Sequence, residues 1–171
     1  MADRMTERKA GLMLALLVAA STMVEGGKMV ARNSAGYVVE AADAAGLRVA
    51  GVANQTVDNS TGANGAKRVE VYSGQMFKFN NSTANAVDIA DQGTPVWVED
   101  DQTVADDPGT HGVVAGICVE VVSDGVWVYI PPALPQIAVQ ATSTAVDVAG
   151  IVANFNTLLD NLKASGIMFK A

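Results

Sequence analysis

A chain of 171 residues, half of them hydrophobic, is long enough for one domain with a true core plus an appendage, and too apolar to be a disordered tail. Charge is sparse and acidic, 11 basic against 18 acidic side chains for a net of −7, and no window gathers the Lys/Arg cluster that a phosphate backbone demands, so nucleic acid is not expected as a partner. A single cysteine and a single histidine exclude an intrachain disulfide framework and leave a zinc site, a Cys-His pair or a Ser-His pair without enough parts.

The first element, residues 8–23, reads "RKAGLMLALLVAASTM", with positive charge first, then an apolar run, then small residues. That order fits a cleaved export signal or a retained arm. Asp3 and Glu7 interleave with Arg4, Arg8 and Lys9, which a signal's leading region rarely tolerates. The apolar run, about ten residues, is too short to span a bilayer, and no membrane partner is expected. Residues 1–22 therefore read as an N-terminal arm or strand of the mature chain.

From residue 23 to 131 short valine-rich runs are punctuated by glycine and asparagine, the pattern of a small β-barrel or sandwich. The expected strands are "KMVARN", "GYVVEA", "LRVAGVA", "KRVEVYS", "QMFKFN", "PVWVED", "VVAGICVEVV" and "GVWVYI". "CVEVVSDGVWVYI" reads as a hairpin turning at residues 123–125, "VDIADQG" as a short turn, and "NSTGANGAK" as a loop in which Asn64-Gly65 favours a primed turn. The acidic run "EDDQTVADD" at 99–107 reads as a solvated loop ahead of a weak cation site, Cys118 as a buried inert thiol ahead of a nucleophile, and the tryptophans of the two "VWV" strands, Trp97 and Trp127, as anchors of the core ahead of an interface. His111 stands in the Gly-rich loop "DPGTHG", and no pattern orders a carboxylate pair. No catalytic residue, cofactor or metal is expected.

At residues 132–144 "PPALPQ" ends any sheet ladder, because proline has no amide donor, and marks a linker. The segment 145–171 then carries a helix pattern spanning roughly 145–165, with Thr144 as N-cap, Asp147 in the capping-box position and Gly166 as C-cap. Val148, Ile151, Phe155, Leu158 and Leu162 are spaced 3, 4, 3, 4, an a/d seam. A helix this short must dock, either on its own β domain or against other copies. The proline linker favours self-association.

Together, "MADRMTER", "VAAST", "GKMVARNSAGYVVEAADAAGLRVAGVA", "VDNSTGANGA", "VWVEDDQTVA" and "DGVWVYI" resemble a group of tailed-phage and prophage capsid cement, or head-decoration, proteins, in order through residues 1–130. Separately, "DVAGIVANFNTLLDNLKASGIM" resembles the terminal helix of some phage head-fibre and decoration proteins. What the resemblance implies is a β-rich domain on the outer surface of the capsid, often trimeric, which binds the major capsid protein and staples neighbouring hexamers. It also implies that the opening segment is retained.

On that footing the arm is expected to be buried as a strand of its own domain or against the capsid protein, with Leu12, Leu14, Leu16 and Val18 making the contacts by strand addition. The seam from Val148 to Leu162 is expected at the trimer axis. Two rival readings are a head fibre displaying a host-surface binding domain, and an exported bacterial protein whose first residues are a cleaved signal.

Overall fold

Alternation of buried valine with outward polar or glycine residues builds the first of two units into which the chain divides, Met1–Pro132 and Ala133–Ala171. The computed structural model describes residues 13–132 and 143–164. In chain order the first unit contains β1 (Met13–Leu17), β2 (Thr22–Val24), β3 (Met29–Arg32), β4 (Val38–Glu40), β5 (Arg48–Ala53) and β6 (Val57–Asn59). There follow β7 (Arg68–Tyr72), β8 (Gln75–Asn81), a 3-10 turn (Ile89–Asp91), β9 (Pro95–Val98), β10 (Thr103–Ala105), β11 (Val114–Val122) and β12 (Gly125–Ile130). The second unit holds one helix, α1 (Val148–Ala164). The fold is mainly β, with a closed barrel and a C-terminal helix, as the valine spacing predicts.

The first sheet runs β1-β7-β5-β3-β4, the barrel closes in the order β10-β8-β12-β11-β9, and β2 pairs with β6 as a separate ribbon. One face of the first sheet packs on the barrel: Met29, Ala31, Val49 and Val52 share a core with Phe79, Val96, Val104, Val126, Val128 and Ile130. The opposite face, with Val30, Ala50, Ala53, Val69 and Val71, packs on Val24 and Val57 of the ribbon and on Val18 and Val38. Burying each such valine contributes on the order of 1.5–3 kcal/mol.

β5 serves both cores because it is bulged. Its register steps from Val30↔Gly51 to Ala31↔Val49, so Ala50 is an extra residue and the side-chain parity resets. Val49 and Val52 then face the barrel while Ala50 and Ala53 face the ribbon. Gly51 takes φ +143°, and a Cβ there would lie 1.9 Å from the Tyr72 carbonyl oxygen, so only glycine fits.

Four features depart from the sequence reading. Strands β2 and β6 lie outside the expected strands, and β10 arises where a loop is expected. β10 lies inside the acidic run: Val104 and Ala105 are buried, pair with Val98 and Trp97 of β9, and close the barrel. The acidic residues flank a strand whose two apolar side chains outweigh them. Asn64-Gly65 is not a primed turn, for the Ala66 amide donates to the Ala63 carbonyl (3.1 Å) with positive φ at Gly65 and not at Asn64, the pattern of a type II turn.

The helix begins at Val148, and its N-cap is Asp147, not Thr144: the Asp147 carboxylate accepts from the Gly150 amide (2.7 Å) and its carbonyl from the Ile151 amide (3.1 Å). Ser143 turns the chain before it, accepting from the Ala145 amide (3.3 Å) and the Asn154 side chain (2.8 Å). Gly166 and residues 133–142 of the linker lie outside the described residues.

Candidate functional site

Residues 13–18 form a strand of the domain itself. β1 adds antiparallel to β7, with Leu14 opposite Val71 and Leu16 opposite Val69, and the chain continues so that Val18 bridges Val38 and the Ala19 amide donates to the Val38 carbonyl (2.9 Å). The pleat turns the even-numbered side chains inward. Leu14 is half-buried, Leu16 packs against the second core and Val18 is fully buried. Leu16 and Val18 thus pack in the domain's own core, the alternative in which the arm is a strand of its own domain, and β1 is the edge strand of its sheet, with β7 on one side. Leu12 lies outside the described residues.

The same pleat, read on the barrel, uncovers a surface the sequence reading placed in the core. On β12 Val126, Val128 and Ile130 are buried, which sends Trp127 and Tyr129 outward, 36% and 38% exposed. Trp97 is half-buried on the outer side of β9, between the buried Val96 and Val98. Neither tryptophan belongs to the core.

Among the described residues of the first unit, the exposed large hydrophobic side chains Met76, Val119, Trp127 and Tyr129 lie on barrel strands, and Ile89 lies on the 3-10 turn that contacts β11. The registers Met76↔Tyr129, Tyr129↔Ile117 and Ile117↔Pro95 align one apolar row across β8, β12, β11 and β9. At about 4.8 Å per strand spacing the row is about 14 Å wide. Beside it Trp127 lies between Lys78 and Glu120, and a bulge at Val119 raises that side chain to 42% exposed. Lys78 pairs with Asp124 at the hairpin turn, and this ion pair holds the Asp124 carboxyl below its ordinary value. The result is an apolar and aromatic strip with a charged rim, the composition of an interaction surface.

Helix α1 carries a second uncovered face. Val148, Ile151 and Phe155 are 76%, 55% and 57% exposed, Leu158 and Leu162 are half-buried, and Val152 at 51% widens the face beyond the a/d seam. A stripe that includes the e position is the broad face of a helix that packs on a core, wider than a strict a/d seam.

The remaining chemistry-bearing groups hold the fold together. The Asp43 carboxylate accepts from the amides of Thr110 (2.7 Å) and His111 (2.8 Å), while His111 Nδ1 lies 3.4 Å from its Oδ1 and 3.1 Å from its carbonyl oxygen. Partial burial pushes the Asp43 carboxyl up, but these donors outweigh it and hold it below its ordinary value. Lys28 joins Glu25 (2.8 Å) to Asp101 (3.0 Å), and hydrogen bonds to Glu25 and then Asp101 keep its ammonium protonated well above the ordinary lysine range. Cys118 is buried, and burial, with Asp91 nearby, pushes its thiol up and away from the reactive thiolate. Among the described residues no group of three or more His, Cys, Asp or Glu could hold a metal ion, and no helix is long and apolar enough to cross a membrane.

No protein-family model, curated protein or solved structure matches this chain.

Proposed function

We propose that this protein is a structural component of a tailed-phage virion, a capsid decoration or cement protein that binds the major capsid protein on the outer surface of the head and stabilises the lattice as a homotrimer. The single observation that carries this reading is the apolar row Met76-Tyr129-Ile117-Pro95, left uncovered on a barrel whose inner valines are fully buried. The exposed face of α1 supports self-association, and the trimer rests on the resemblance. The ordered motifs in residues 1–130 point to the same class.

In this mechanism the trimer presents three copies of the strip to neighbouring capsomers. Each contact is modest, and lattice multivalency multiplies them. No bond is made or broken, so the protein is not an enzyme. Retention of the opening segment is supported by its packing, since cleavage after Ala20 would remove β1 together with the fully buried Val18.

A head-fibre reading draws on the same strip, because Trp127 and Tyr129 offer the aromatic surface on which sugars stack. Pelleting with expanded, undecorated heads separates the two. Saturable binding supports cement; binding to host-surface glycan without binding to heads supports the fibre.

A further inference from the structure

Asn-Gly is the dipeptide best suited to losing ammonia through a succinimide, because glycine leaves the following amide nitrogen unhindered. Gly65 N attacks Asn64 Cγ, the new N–C bond forms as the Cγ–Nδ2 bond breaks, and ammonia carries away the amide proton. Water then opens the ring to aspartate or isoaspartate. Asn64 is exposed at the surface, so solvent reaches it.

Both reacting groups are nevertheless engaged, and by one segment. The Gly65 amide donates to the Val18 carbonyl (2.9 Å), and Asn64 Oδ1 accepts from the Ala20 amide (2.7 Å). The clamp extends on either side: the Val18 amide donates to the Lys67 carbonyl (3.0 Å) and the Ser21 amide to the Gly62 carbonyl (3.2 Å). From beneath, the buried Asn59 side chain donates to the carbonyls of Ala19 (2.7 Å) and Ala63 (3.0 Å). Gly65 N cannot reach Asn64 Cγ as a nucleophile while its N–H is held by Val18 and the Asn64 amide is fixed by Ala20.

We infer that Asn64 is a deamidation site gated by the N-terminal segment: it stays intact while residues 18–21 are docked and converts when they are released. The isoaspartyl product lengthens the backbone of the type II turn by one methylene, and loop 62–67 then no longer matches residues 18–21. Redocking of residues 18–21 is weakened, and the modification records their release.

The test follows Asn64 in the purified full-length chain, kept in mildly alkaline buffer with and without guanidinium, by peptide mass and by separation of the aspartyl and isoaspartyl forms. The folded chain should convert at least about tenfold more slowly than the unfolded chain, since reaction needs local opening. Equal rates overturn the inference. Ala20→Pro removes the donor to Asn64 Oδ1 while keeping the Asn-Gly pair; when folded, it should convert several-fold faster than the wild type under the same conditions, and an unchanged rate overturns the gating. Should that variant fail to fold, hydrogen exchange at the Gly65 amide of the wild type decides: protection matching the slow conversion upholds the gate, and a freely exchanging amide beside slow conversion refutes it.

Discussion

At Gly51 a single hydrogen atom decides whether two cores can share one strand. A Cβ would press into the Tyr72 carbonyl and also meet a Val71 methyl at 2.8 Å. Gly51→Ala should therefore destabilise the first unit by about 2–4 kcal/mol, read as a fall in the urea midpoint; an unchanged midpoint would refute the close approach. Asp43 acts through charge instead. Its folded carboxyl lies below the unfolded value of about 3.9, so its contribution is complete above that pH and is lost as pH falls through the lowered folded value. The stability gap between wild type and Asp43→Ala should hold at neutral pH and close below about pH 4. A gap that persists unchanged to lower pH would contradict the clip. His111, the chain's single histidine, is one of the groups this carboxylate holds.

Strand β1 shows how an element's role follows from its partner. Because β7 already pairs with it and Val18 anchors its end, removal of residues 1–20 should cost the first unit its cooperative unfolding transition, measured by circular dichroism. A truncated chain that melts like the full one would show β1 to be dispensable. Helix α1 makes the opposite prediction. On the proposed self-association, the wild type should sediment as an oligomer and Ile151→Asp with Phe155→Asp as a monomer in analytical ultracentrifugation, with the barrel's melting unchanged. An oligomer that survives both charges would exclude this face as the seam. All eight strands expected from valine spacing are present, because that period of two reports burial directly. β2, β6 and β10 were illegible: at three residues they are too short to show a period, and unlike β4, equally short but carrying the adjacent Val38 and Val39, they lie among polar and acidic residues without a valine run. The helix N-terminus slipped by one turn because Thr144 and Asp147 are both good caps and only the backbone chooses between them. The barrel strip was legible in principle. With Val126, Val128 and Ile130 inside, parity alone puts Trp127 and Tyr129 outside; the scarcity of aromatic residues put the core ahead of an interface for Trp127.

For the whole molecule, each unit carries exposed apolar side chains, the barrel strip on the first and Val148, Ile151 and Phe155 on the second, and the proposed assembly draws on both. The acidic residues do not steer that assembly through any single cluster; part of the run at 99–107 closes the barrel, and Asp101 ties it to Lys28. What remains available to a partner is the barrel strip, and the most direct measurement is of its effect on capsid binding. Wild type and a Met76→Ser, Tyr129→Ser double variant would be pelleted with expanded, undecorated heads across a concentration series, after matching their melting and oligomeric state. Saturable binding by the wild type, weakened at least about tenfold in the variant, is the result the cement reading predicts. Failure of the wild type to bind, or binding indifferent to both substitutions, would contradict it.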